Sequence, residues 1–409
     1  MTKRILLLGT TGVEKSDAVK NLVKFAETQI GFGKLELVDF EKEYILRKNN
    51  IEIHSYLDAE KYRQRDYWLE GWKQFKTWHK KNKDKDVLLS LHGVLTRSIN
   101  WKGIRSPVDI NCFIDFAPNI IITLIDDVYL KWFRTTDRSK GSLYKGKPTL
   151  EQLLDARRAE IFLGDLIANH ITSQPKHYVV AVQHPARILY RLLFGDGKVK
   201  SIYLSFPISG PRRLLEKNNR SGIKEINAFL EIANDFENRT PQAVCFCPLT
   251  IDEFPLLSAM EKQKDKSGQI IFKMQNRWNV REFWDKEELL TNEKAFPKTI
   301  TLPKDEIEKV KGLIEADVGA RDYRLVLQST RLAVYNPWFK NKETGGVRNE
   351  IQLACANEIP VLIYQYPKHD TNAQARKTLK PKPGSLGYPP GSDYITFYDS
   401  PQEIFENII

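Results

Sequence analysis

Asn336 to Tyr364 reads NPWFKNKETGGVRNEIQLACANEIPVLIY. Glu350 falls four residues after the second glycine of the pair Gly345–Gly346, where a glycine-rich turn becomes an amphipathic helix. A helix N-terminus carries partial positive charge and unpaired amides, both of which favour an ionised carboxylate. A fixed, ionised carboxylate is what attack on a sugar's anomeric carbon requires. The same placement suits a plain capping glutamate in a first helical turn, so both readings stand at this point. Val347, Ile351, Ala354 and Cys355 recur at helical spacing, which predicts one buried face on a helix beginning near Val347.

A second candidate lies near the start, in GTTGVEKS, Gly9 to Ser16. In the phosphate-loop pattern G-x-x-x-x-G-K-[ST], backbone amides cradle phosphates, the lysine pairs with them and the hydroxyl holds Mg²⁺. Gly9, Lys15 and Ser16 fit, with Gly12 inside the loop, and ATP with Mg²⁺ is the ligand such a loop implies. Glu14, however, occupies the position of the second glycine. It sets a side chain, and an anionic one, where backbone must approach phosphate.

Other chemistry is weakly represented. Cys112, Cys245, Cys247 and Cys355 are scattered except for the pair in AVCFCPL, which sits two apart in a strand-like run. No histidine or cysteine follows at zinc spacing, so a buried strand is the preferred reading over a metal site. Scarce cysteine and an apolar N-terminal stretch too short for a signal peptide suggest a reducing cytoplasm. The formal charge of +11 favours anionic partners such as nucleotides. The excess is spread along the chain, and the densest run, HKKNKDKD, contains its own aspartates, so a nucleic-acid partner is not expected. No apolar run reaches the roughly 20 residues that span a bilayer.

These residues need elements to hold them. RILLLG, KLELVDF, DVLLSLHG, NIIITLID and HYVVAVQ read as strands, with helical stretches between them, including 59–82. After FGDGKVK the pattern restarts, with strands SIYLSFPI, QAVCFCP, TRLAVYNP and the run after Glu350. Strands alternating with helices predict parallel sheets covered by helices, hence an α/β protein of two domains. The boundary is placed at 197/198. Residues 250–303 read as irregular, and the Pro/Gly-rich stretch 379–394 as a loop, either a lid or a surface connection.

Around its loop, the first half (residues 3–190) resembles the archaeal adenylate kinase type of nucleotide kinase. LLSLHGVLTR is similar to the family's strand ending in Asp-x-His, with Ser90 at the Asp position and His92 retained. DDVYLKWFRTTDR resembles the segment that brings lid arginines over the phosphates, here Arg134 and Arg138. The changes at Glu14 and Ser90 favour a retained scaffold or nucleotide sensor over phosphoryl transfer.

Residues 200–365 resemble the nucleoside 2-deoxyribosyltransferase fold, and more closely the nucleoside 5′-monophosphate N-glycosidases. SIYLSFPISGPRRLL, RDYRLVLQSTRLAVYNP and TGGVRNEIQLACANEIPVLIY carry the likeness, in matching order. The resemblance implies a flavodoxin-like sheet, with Glu350 as nucleophile, Tyr203 as its orienting partner and Asp322 beside the leaving base. It also implies a homo-oligomer, and glycosidic cleavage that requires no metal. Where the deoxyribosyltransferases commonly have Asp six residues before the nucleophile, Thr344 stands here. A hydroxyl can donate to a 5′-phosphate that a carboxylate would repel. Gly346, Ser209, Gly210, Arg212 and Arg213 would complete that phosphate pocket, although the two arginines read equally well as surface charges. The leading expectation is therefore a nucleotide N-glycosidase joined to a kinase-like domain, in salvage or in antiviral nucleotide depletion. A non-catalytic nucleotide sensor in a defence system and a nucleotide kinase are the alternatives.

Overall fold

The computed structural model describes residues 2–29, 35–95, 103–136, 148–195, 198–216, 220–263, 268–274, 289–291, 297–339, 342–364 and 394–408. Arg138 and nearly all of the loop 379–394 lie outside these residues. The chain is α/β and divides into two compact units, each built on a parallel five-stranded sheet. Among the described residues, no helix is long and apolar enough to cross a membrane.

The first unit comprises residues 1–186, 251–279 and 288–316. Its strands are β1 (Arg4–Leu8), β2 (Leu35–Asp39), β3 (Asp86–Ser90), β4 (Ile120–Ile125) and β5 (Lys176–Ala181), in the order β2-β3-β1-β4-β5. The strands are near-continuous apolar runs because helices cover both faces of a parallel sheet. On one side, Trp68, Trp72 and Phe75 of the helix Lys61–Lys81 bury against Phe40, Phe113 and Phe116. The indoles of Trp68 and Trp72 stack with centroids 5.2 Å apart, one helical turn from each other.

Residues 250–303 are less irregular than their composition suggests. They contain the helix Phe254–Lys262 and an antiparallel hairpin, β8 (Gln269–Lys273) with β9 (Thr299–Pro303). Each hairpin strand alternates exposed and buried residues, a short period-two signal that the charged insertion between them obscures. The segment is anchored within the first unit by Glu253, which accepts from both terminal guanidinium nitrogens of Arg157 at 2.8 and 3.1 Å. Asp252 adds a backbone N–H to Asp127 Oδ1 at 2.7 Å.

The second unit comprises residues 187–250, 280–287 and 317–409. Its strands are β6 (Lys200–Ser205), β7 (Ala243–Phe246), β10 (Arg331–Tyr335), β13 (Val361–Tyr364) and β14 (Ile395–Tyr398). The order β14-β13-β10-β6-β7 is, in chain sequence, 2-1-3-4-5, the flavodoxin-like order of a doubly wound sheet. The order in which strands are added reverses between β6 and β10, all of them parallel, and ligands of such sheets bind beyond the carboxyl ends of the strands at that point. A two-residue pair, β11 (Trp338–Phe339) with β12 (Lys342–Glu343), leads from β10 into the helix α1 (Gly345–Ala356).

Candidate functional site

Glu350 stands opposite the carboxyl end of β6. Its Oε1 accepts from Tyr203 Oη at 3.0 Å, and its Oε2 from Ser205 Oγ. Tyr203 and Ser205 are two apart on one strand, so both project from the same face, and both are fully buried. The buried face of α1, made of Val347, Ile351, Ala354 and Cys355, fixes the helix that carries the carboxylate. That face matches its sequence expectation residue for residue.

The helix start corrects the sequence reading. Thr344 is the N-cap and α1 begins at Gly345, so Glu350 lies in the second turn rather than the first. Its carboxylate holds side-chain hydroxyls, which is not the bonding of a capping glutamate. Nor does the helix end keep it ionised. Burial, reinforced by the charge of Asp322, pushes the Glu350 carboxyl up to about 8 against the opposing pull of Ser205, Tyr203 and Arg321. The protein therefore holds Glu350 neutral below that pH. Burial, with Asp322 and Glu350 adding to it, also raises the Tyr203 phenol well above its ordinary value, so it remains a donor.

Asp322 belongs to the helix Lys304–Leu327 and is oriented by its neighbour Arg321, whose Nε and Nη2 donate to Oδ1 at 3.1 and 2.9 Å. Its charge reaches Glu350, Tyr203 and Cys247. Thr344 is tied to the turn before it, with its amide and Oγ1 at 3.2 and 3.4 Å from Pro337 O. Gly346 is exposed, with open space where a Cβ would stand. Ser209 and Gly210 open the helix Ser209–Glu216, and Gly210 lies flat against Phe339 of β11. A Cβ there would come within 2.3 Å of the Phe339 ring. That contact joins the loop after β6, from which part of a phosphate pocket was expected, to the hairpin before α1. Arg212 is half-buried and Arg213 is exposed.

Ser205 was not foreseen, although the alternation in SIYLS places it on the face of Tyr203 and was the signal that could have found it. The paired cysteines hold neutral thiols: burial raises Cys245 well above its ordinary value and Cys247 to about 12. Among the described residues no cluster of His, Cys, Asp and Glu could hold a metal.

In the first unit, a cavity of about 170 Å³ opens over the carboxyl ends of β1, β2 and β3. Thr10, Gly12, Glu14, Lys15, Ser16, Asp39, Glu41, Ser90 and His92 line it, so Gly12, Lys15 and Ser16 of the loop border it and Gly9 does not. Its volume is below the roughly 300–1,000 Å³ usual for small-molecule sites. Lys15 turns inward and donates to Gly9 O, and burial lowers its basicity against the pull of Glu41, Glu160 and Asp39. The amide of Gly9 is also engaged, donating with Gly93 N to Glu160 Oε1 at 2.9 and 2.8 Å. Glu14 adopts the left-handed conformation (φ 59°) that this loop position demands and that glycine meets more easily. Arg134 is buried: its Nη1 binds Asp126 Oδ2 at 2.6 Å and Gly12 O at 2.8 Å, bracing the loop, and its Nε lies 3.9 Å from Glu14.

No protein-family model matches the chain, and no curated protein matches its sequence.

Proposed function

We propose that the second unit is an N-glycosidase that cleaves the base–sugar bond of a nucleoside 5′-monophosphate. The observation that carries this reading is Glu350 held between Tyr203 and Ser205 at the switch point of a flavodoxin-like sheet, with the charge of Asp322 acting on it. Two carboxylates in different surroundings divide a glycosidic cleavage between them. Glu350, once ionised, bonds to C1′ as the C1′–N bond breaks, and the departing base takes a proton from a water held by Asp322, leaving a hydroxide that accepts the proton released in the next step. Water then attacks C1′, gives up a proton, and releases Glu350 and the sugar phosphate. Tyr203 and Ser205 aim the nucleophile by donating to its two oxygens. The resemblance to the 5′-monophosphate N-glycosidases supports a 5′-phosphate received at Thr344, Gly346 and the start of the helix Ser209–Glu216.

For the first unit, the inward Lys15, the engaged Gly9 amide and the acidic lining of the cavity support a scaffold or regulatory role over phosphoryl transfer. Transfer of a phosphate from ATP to a nucleoside monophosphate would support the kinase alternative.

The direct test is chromatography of a panel of nucleosides and their 5′-monophosphates incubated with the full chain. Free base from monophosphates, with nucleosides turned over about ten- to a hundred-fold less well, is the expected result. Unchanged nucleotides after long incubation would reject glycosidic cleavage and favour a binding role.

A further inference from the structure

The first unit holds a second cavity that shares no lining residue with the phosphate loop. It lies between the π-helical turns Glu41–Leu46, continued by Arg47–Asn49, and the C-terminal half of the helix Lys61–Lys81. Its volume is about 470 Å³, within the roughly 300–1,000 Å³ usual for small-molecule sites. A π-helix is rare and is found frequently at functional sites. Lys81 ends its helix shortly before β3 begins at Asp86, so the cavity extends toward the amino ends of the strands. The phosphate loop stands at their carboxyl ends.

The walls of this cavity are cationic. Arg47 and Lys48 come from one wall and Lys81 from the other, against the single carboxylate of Glu43. That carboxylate is already engaged, with Oε1 accepting from the amide of Asp39 at 3.1 Å. The three cations are exposed, and among the described residues none of them has an ion-pair or side-chain hydrogen-bond partner. Unpaired cations around one cleft concentrate a small anion there, and the arginine fork matches phosphate.

A ring platform stands beside the cations. Trp78 lines the cavity on the same helix face as Gln74 and Lys81, at spacings of four and three residues. Its indole is half-buried and backed by Phe75, with centroids 6.0 Å apart and planes 27° apart. Phe75 in turn meets the buried ring of Tyr44 edge-on at 5.6 Å. Core rings thus fix the indole, and a base can stack on a fixed indole whatever its identity. Gln74 Nε2 donates to Glu70 at 3.3 Å, which leaves its amide oxygen for the polar edge of such a ring.

We propose that this cavity binds a nucleoside diphosphate, with its phosphates on Arg47, Lys48 and Lys81 and its base on Trp78. The assignment does not depend on the glycosidase reading of the second unit.

The test is calorimetric titration of the full chain with ADP, GDP, CDP and UDP, with pyrophosphate, with the matching nucleosides and with a short single-stranded oligonucleotide. The titrations are repeated on Arg47→Gln and Lys81→Gln, whose exposed side chains should leave the melting temperature unchanged. At least one diphosphate is expected to bind, and to show a component that weakens about tenfold in each variant. That diphosphate should also bind at least about tenfold more tightly than pyrophosphate or its own nucleoside, since each lacks half of the contacts. No diphosphate binding, unchanged affinity in either variant, or pyrophosphate or the nucleoside bound as tightly as the nucleotide would overturn the assignment. An oligonucleotide held more tightly than every diphosphate, and lost in the same variants, would overturn it in favour of a nucleic-acid groove.

Discussion

Tyr203 Oη lies 3.0 Å from Glu350 Oε1, across 147 residues of sequence. The bond joins the carboxyl end of a buried strand to the second turn of a helix, and it aims a carboxylate whose other oxygen is held by Ser205. Tyr203→Phe keeps the ring and removes the donor. A hydrogen bond to an ionised group contributes about 1.5–3 kcal/mol, so base release should fall roughly ten- to a hundred-fold with little change in melting temperature. Steady-state kinetics and a melting curve check both parts.

Base release should depend on pH through Glu350 itself. Burial and Asp322 raise its carboxyl to about 8, and the attacking form is the ionised one. kcat/KM is therefore expected to rise with pH and level off above about 8. Stability runs the other way. The folded value lies above the unfolded value of about 4.3, so the contribution to stability is full below that pH and is lost as pH rises through about 8. Asp322→Asn removes a charge that raises Glu350, so the rising limb should move to lower pH even as assistance to the leaving base is lost. A pH–rate profile and melting curves across pH 5 to 9 would show these shifts.

Gly210 is a packing requirement with a consequence for phosphate. Gly210→Ala would set a methyl 2.3 Å from the Phe339 ring and part the loop after β6 from the hairpin before α1. Overpacking of this kind costs about 1–3 kcal/mol. The expected result is a lower melting temperature and a larger loss of activity on monophosphates than on nucleosides.

At the phosphate loop, Glu14→Gly should relieve a left-handed non-glycine residue and remove one acid from the cavity wall. The strain relieved is about 1 kcal/mol, partly offset by the lost proximity to Arg134. Melting temperature should hold or rise slightly, and ATP affinity, measured by calorimetry, should increase.

Much of the architecture was legible because parallel sheets demand long apolar strands between helices, and RILLLG or TRLAVYNP could serve little else. The buried face of α1 was equally plain from its spacing. The hairpin in 250–303 was not, because two five-residue strands lie far apart around a charged insertion and neither signals alone. At the site, residue types were readable but their electrostatics were not. The helix start suggested an ionised glutamate, whereas desolvation by neighbours distant in sequence decides its protonation. The inward turn of Lys15 and the clasp of Glu160 on Gly9 likewise depend on partners that no local pattern encodes.

The most direct test of the central claim is base release by the wild type and by Glu350→Gln, measured at pH 8 on preparations whose melting temperatures are also recorded. Glutamine is nearly isosteric and carries no charge to be buried, so the variant should melt at the wild-type temperature or above it. It lacks the anionic oxygen that would bond to C1′, so base release should fall by orders of magnitude. A Glu350→Gln protein that frees base at the wild-type rate would contradict the account.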